Sequence, residues 1–194
     1  MSIVVVVKKA GKIVIAADTL YSFGSTKVAP IYLSKRSKIH HFGNSYIGLT
    51  GASAHDNVFP HLVEKHKKHI SFDNKEKIFE TYLKIHSILK DEYFLNVYED
   101  DDISYESSKI EGLVANPNGI FGIYPRREVY EFEKFWAIGS GEEYALGSLF
   151  STYDLFDDPE KIAELAIKAS CEFDDGCSLP IEMHSVKLSE TVLK

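Results

Sequence analysis

Residues 3–7 read Ile-Val-Val-Val-Val, five β-branched side chains in succession. Such side chains favour an extended backbone. With no polar residue on either alternating face, the strand they form has to be covered on both sides. Ala10-Gly11 then makes a turn, and Lys12 to Ala17 (KIVIAA) is a second strand, so the chain starts with a hairpin that ends at Asp18.

Gly24, Pro30 and the charged stretch at 34–38 mark a long loop, within which 21–28 (YSFGSTKV) is a candidate short strand. Lys38 to Phe42 and Ser45 to Leu49 form the next hairpin, about Gly43-Asn44 or Asn44-Ser45. After Gly51-Ala52-Ser53 the apolar positions 58, 59, 62 and 63 fall at helix spacing, predicting a helix over 54–69. Asp73 or Asn74 caps a second helix, with Ile78, Phe79, Tyr82, Leu83, Ile85, Ile88 and Leu89 as its buried stripe. Strands return at 109–116, 119–125 and 128–137, the first two joined across Asn116-Pro117-Asn118-Gly119. Gly139-Ser140-Gly141 opens a helix over 142–153. Pro159 sits in the first turn of another, capped by Asp157 or Asp158 and running to about 171. Residues 181–188 read as a closing strand.

Two helix pairs thus alternate with two groups of antiparallel strands. Each helix pair needs a sheet to bury its stripe against, and each sheet needs its other face covered. The expected fold is α+β, a four-layer α/β/β/α sandwich of two stacked antiparallel sheets. No repeat, low-complexity segment or linker divides the chain, so one domain over 1–194 is expected.

The net charge of −7, from 22 basic and 29 acidic residues, argues against a nucleic-acid partner. The basic clusters Lys65–His69 and Lys35–Lys38 read as solvated surface, and Glu99 to Asp102 as an exposed acidic loop. Two cysteines, Cys171 and Cys177, are too few for a secreted disulfide scaffold. The start MSIVVVVKKAG lacks the long apolar core of a signal peptide, and no apolar stretch approaches a membrane span. A cytoplasmic protein with reduced thiols is expected, with no cofactor, no metal and no membrane partner.

The segments SIVVVVKKAGKIVIAAD (2–18), SKIHHFGNSYIGLTGAS (37–53) and WAIGSGEEYALGSL (136–149), in this layout, resemble the proteasome β-subunit family of N-terminal-nucleophile hydrolases. The likeness is strongest to the bacterial proteasome-like peptidases, including the peptidase of the bacterial two-component ATP-dependent protease, and it covers nearly the whole chain. It implies a site. Ser2 takes the position of the nucleophile, usually Thr, whose own α-amine serves as base once Met1 is removed. An α-amine with a reference pKa of about 7.7–8.0 is suited to that task. Asp18, sixteen residues on, takes the place of the family's acid, which holds a lysine charged. Lys38 is matched to that lysine across a loop about four residues longer than the family's, and Lys35 and Lys27 remain competitors. Gly51 matches the glycine whose N–H stabilises the oxyanion. Ser140 matches a serine near the α-amine, and Asp174 a second supporting acid. Cys177 stands where the family has Ser, and the Gly-Gly that normally follows is absent. A register one residue on would pair Asp175 with Ser178 instead. Leu49 falls in the pocket for the residue before the cut bond, which hints at an apolar preference.

The resemblance implies an endopeptidase or amidase acting through Ser2 on peptide or unfolded-protein substrates. Identical subunits in a ring or spiral, and a separate ATP-dependent unfoldase, are its implied partners. The alternative is a non-catalytic structural or assembly subunit of the same fold, kept open by Ser for Thr, the long lysine loop, Cys177 and the missing Gly-Gly. A thiol enzyme using Cys171 or Cys177 lacks a histidine obviously placed to pair with either.

Overall fold

A computed structural model describes residues 2–34, 37–97 and 104–189. The acidic run 99–102, Met1 and the competitor Lys35 lie outside the described residues.

The strands β1 (Ile3–Lys9) and β2 (Lys12–Asp18) form the first hairpin, and β3 (Tyr21–Phe23) and β4 (Thr26–Val28) a small ribbon of their own. Next come β5 (Ile39–Phe42), β6 (Ser45–Gly51), α1 (His55–His66) and α2 (Lys75–Tyr93). They are followed by β7 (Ile110–Asn116), β8 (Gly119–Ile123), β9 (Val129–Phe132) and β10 (Phe135–Gly139). The chain continues through α3 (Glu142–Thr152) and α4 (Pro159–Phe173) to β11 (Ile181–Lys187). One sheet runs β10-β1-β2-β11 and the other β5-β6-β7-β8-β9, and both are antiparallel throughout.

The side chains of β1 show why this is a four-layer structure. Ile3, Val5 and Val7 pack with Ala145, Leu149, Ile162 and Ile167 of α3 and α4, whereas Val4 and Val6 point the other way, against Leu113, Ala115 and Ile120 of the second sheet. All five are fully buried. The far face of the second sheet meets α1 and α2 through Phe59, Leu62, Ile78, Tyr82 and Ile85. The stacked α/β/β/α arrangement expected from the alternation of helix pairs and strand groups is therefore the one observed.

Local chemistry sets the element ends. Asn74 caps α2, accepting from the Lys77 N–H at 2.9 Å, and Asp158 caps α4, accepting from the Glu160 N–H at 3.0 Å. Gly43-Asn44 is the turn of the second hairpin, since Phe42 pairs with Ser45. The Asn116 side chain closes the turn after β7, accepting from the N–H groups of Asn118 and Gly119.

Two expectations are corrected. The stretch 128–137 is two strands in different sheets, β9 and β10, broken at Glu133-Lys134. The Lys8 N–H donates to the Lys134 carbonyl at 2.7 Å, and Phe132 stacks on Trp136 across the break, with centroids 4.7 Å apart. Alternating residues continue through the break, so periodicity does not reveal it. Phe79 and Leu83, placed in the buried stripe of α2, are instead about half exposed, at 44% and 46%. The helix buries a narrower face than its apolar content suggests.

The sheets meet closely at Gly48 on β6, where a Cβ would lie 2.5 Å from Val4 Cγ1 and 3.3 Å from Ile15 Cδ1. The variant Gly48→Ala is therefore expected to lower the unfolding free energy by about 1–3 kcal/mol, read by urea titration.

Candidate active site

The first hairpin brings Ser2 and Asp18 together. In its register Val4 faces Ala17, so the residues beyond that pair, Ile3 and Asp18, lie opposite one another. The Ile3 N–H donates to Asp18 Oδ1 at 3.0 Å. Asp18 is fully buried, and each of its oxygens takes two donors. Oδ1 also accepts from Lys38 Nζ at 2.6 Å, while Oδ2 accepts from the N–H groups of Leu20 at 3.0 Å and Ser178 at 3.2 Å. A carboxylate held by one ammonium and three amides replaces most of what it loses in leaving water.

Lys38 is 3% exposed and precedes β5 directly. Its carbonyl accepts from the Leu49 N–H of β6 at 3.0 Å, and its ammonium stands 5.4 Å from the Tyr21 ring centroid. Of the two candidate lysines among the described residues, Lys38 is the one at Asp18, and Lys27 lies exposed on β4.

On the other side of Ser2, the loop after β10 supplies Ser140. The Ser2 N–H donates to Ser140 Oγ at 3.2 Å. Ser140 Oγ lies 3.0 Å from Asp174 Oδ1 and 3.4 Å from the Ser2 carbonyl oxygen, so its one proton has two acceptors in reach. Gly139 makes this approach feasible. Its φ is +109°, and a Cβ there would sit 2.2 Å from the Ser2 carbonyl oxygen.

Asp174 ends α4, where it also accepts from the Gly176 N–H at 2.8 Å. Cys177 is 3% exposed, and its N–H donates to the Asp174 carbonyl at 3.2 Å. In the other register Asp175 is exposed, and the Ser178 hydroxyl donates to the neighbouring Leu179 carbonyl. The residues gathered near Ser140 are thus Asp174 and Cys177. Burial, then the charge of Asp18, pushes the Cys177 thiol far above its ordinary range, and the same two causes raise Cys171 to about 11. Thiols that resist ionisation are poor nucleophiles, which disfavours the thiol-enzyme alternative.

An open cleft lies above these groups, with Ser2, Lys38, Leu49 and Gly51 in its lining. Gly51 is the last residue of β6, two residues beyond the predicted strand end, and its φ of +105° is one that other residues adopt only with strain. All seven residues anticipated from the sequence therefore lie in or immediately behind one site.

Sequence reasoning missed His55, at the start of α1. It lines the cleft, is 6% exposed, and holds Nε2 2.7 Å from the Lys109 carbonyl oxygen. Burial lowers its pKa from 6.5, partly countered by that hydrogen bond and by Asp56. Nothing in the local string SAHDN marks a buried imidazole, because its partner is 54 residues away. Among the described residues no group of three or more His, Cys, Asp or Glu is placed to hold a metal ion, and no helix is long and apolar enough to cross a membrane.

No family model matches the sequence, and no curated protein matches it either. Solved structures do. BPH of Thiobacillus denitrificans is similar at 37% identity and a TM-score of 0.90, over 97% of this chain and 99% of that one. Its complex with epoxomicin matches at 36% identity and the same TM-score, over 96% and 99%. Eukaryotic HslV from Trypanosoma brucei shares the fold at a TM-score of 0.71 and 18% identity, over 95% and 99%.

Replacing Lys38 by Met strands the buried Asp18 charge, so the unfolding free energy is expected to fall by about 3–5 kcal/mol in guanidinium titrations. Lys27→Met, at the surface, is expected to change it by less than about 0.5 kcal/mol. His55 has a lowered folded-state pKa, so the unfolded chain binds its proton more readily. Its contribution to stability is complete above pH 6.5 and is lost as the pH falls through the lowered value. His55→Gln is expected to flatten the acid side of the stability–pH curve, measured by urea unfolding at successive pH values.

Proposed function

The chain belongs to the proteasome β-subunit-like family of N-terminal-nucleophile hydrolases, and from that premise we propose that its nucleophile is the Ser2 hydroxyl, exposed with a free α-amine once Met1 is removed. As a family member it is a peptidase of the threonine/serine type. The observation that carries the Ser2 assignment is the convergence of the buried Asp18–Lys38 pair and the Ser140–Asp174 pair on residue 2 from opposite sides.

The chemistry follows from those positions. The α-amine takes the proton of the Ser2 hydroxyl as the oxygen attacks a peptide carbonyl, and Ser140 Oγ, 3.2 Å from the Ser2 nitrogen, holds that amine in place. The Lys38 ammonium, kept at the site by Asp18, favours the negative charge that grows on the attacking oxygen. The Gly51 N–H donates to the oxyanion; a donor of this kind is worth roughly 3–4 kcal/mol of barrier. The α-ammonium then gives that proton to the leaving nitrogen, and the tetrahedral intermediate collapses to an ester on Ser2 with release of the amine product. Water, activated by the same α-amine, hydrolyses the ester and regenerates Ser2. Cys177 fills the serine position behind Asp174 with a weaker hydrogen-bond donor. Leu49 in the cleft wall supports a preference for an apolar residue before the cut bond.

The partners proposed are identical subunits in a ring or spiral, unfolded polypeptide as substrate and a separate ATP-dependent unfoldase, all in the cytoplasm. Exposed Phe150, Leu155 and Phe173 around α3 and α4 offer apolar area for contacts between subunits.

Intact-mass analysis is expected to show Met1 removed, and a peptide epoxyketone such as epoxomicin to add one probe mass at residue 2. Ser2→Ala is expected to abolish the adduct and to cut peptide hydrolysis at least about a thousandfold. A trimmed, folded chain that neither labels nor slows on Ser2→Ala would instead be the non-catalytic subunit of this fold.

A further inference from the structure

Lys38 is delivered by the end of a long loop and carries its ammonium on a flexible four-carbon stem. Asp18 holds the head and the Leu49 N–H holds the backbone carbonyl. The segment is gripped a third time, at Ser37. The Ser37 hydroxyl donates to Glu182 Oε1 at 2.5 Å, and Ser37 Oγ accepts from the Ile39 N–H at 3.0 Å, a local turn that folds the chain over Lys38. The Ile39 carbonyl is also within reach of that hydroxyl, but a carboxylate is the stronger acceptor.

Glu182 is well placed for this. It sits on β11, the edge strand of the first sheet, opposite Ala17, and its neighbour Ile181 lies opposite Asp18. The two carboxylates therefore stand one register step apart, on adjacent strands. Ile181 and Met183 face α4, so Glu182 and His184 face the second sheet. His184 Nε2 donates to Glu182 Oε1 at 3.1 Å. Its ring stacks on Tyr46 of β6, which in turn stacks on His41 of β5, with centroids 4.7 and 4.6 Å apart. The Glu182 side chain is thus itself held from two sides.

We propose that Glu182 is a positioning residue for Lys38, acting through Ser37: Asp18 fixes the ammonium, and Glu182 fixes the point at which the chain enters the lysine. This rests on the Ser2 mechanism above, in which the place of the Lys38 charge sets the rate of attack. Glu182 and Ser37 both lie outside the lining of the cleft, and the Lys38 charge acts on the attacking oxygen, so the effect falls on kcat more than on KM.

The test uses the trimmed full-length chain and a fluorogenic peptide amide. Glu182→Ala and Ser37→Ala are each expected to lower kcat roughly tenfold, with KM changed less than about twofold. The double variant is expected to be no slower than either single, because both remove the same bond. Glu182→Gln, whose amide oxygen still accepts from Ser37, is expected to recover most of the loss. Additive losses in the double variant, a Gln variant as slow as the Ala variant, or wild-type kcat in Glu182→Ala would each overturn the proposal. A wild-type chain that neither turns over peptide nor labels at residue 2 contradicts the Ser2 mechanism instead. The positioning claim is then decided by the 15Nζ NMR resonance of Lys38, assigned with Lys38→Met. It is expected to shift alike in Glu182→Ala and Ser37→Ala and to return toward wild type in Glu182→Gln. An unmoved resonance overturns it.

Discussion

A single buried carboxylate organises the functional end of this molecule. Asp18 has no exposure to water, and its two oxygens collect the amides of residues 3, 20 and 178 and the ammonium of Lys38. Those donors come from β1, the start of the β3 segment, the turn before β11 and the end of the lysine loop. An uncompensated charge at such depth would cost several kcal/mol, so the four segments have to arrive together or the site does not form. The same contacts that make the carboxylate tolerable also bring residue 2 to one particular lysine.

The layers behind the site explain why such an arrangement can be held still. β1 is covered on both faces, by α3 and α4 on one side and by the second sheet on the other, and β2 is its hydrogen-bonded neighbour. Residue 2 therefore extends from a strand whose first five residues are fully buried. Gly139 ends β10, the other neighbour of β1, and Ser140 follows it, while Asp174 and Cys177 follow α4. Asp18, Gly51, Gly139 and Asp174 stand at the ends of regular elements. Lys38 arrives at the end of a long loop, and three separate contacts, from Asp18, Leu49 and, through Ser37, Glu182, hold it.

Much of the candidate site was legible before the structure through the resemblance to the family, because the matched residues lie at fixed offsets within short motifs. Ser2 and Asp18 bracket one hairpin, Gly51 closes a strand, and Ser140 sits between two glycines. Hairpin register carries such pairs together once the strands are recognised. The choice among Lys27, Lys35 and Lys38 was not legible in the same way. A loop of changed length breaks the link between sequence offset and position, and only the place of Asp18 discriminates. The two registers after α4 differ by one residue, and they separate only when Asp174 is seen against Ser140. His55, Glu182 and Ser37 left no local trace, since each is defined by a partner 54 or 145 residues distant.

The sequence by itself determined the layer order, and its resemblance to a known family marked the candidate site residues. A run of five β-branched residues demands cover on both faces whatever surrounds it, and helix and hairpin periodicities are local properties. Tertiary structure decided where the chain crosses between sheets at Glu133-Lys134, which apolar residues of α2 stay exposed and which lysine meets Asp18. Those outcomes depend on contacts between segments far apart in the chain, where burial and charge pairing, not local propensity, select the arrangement.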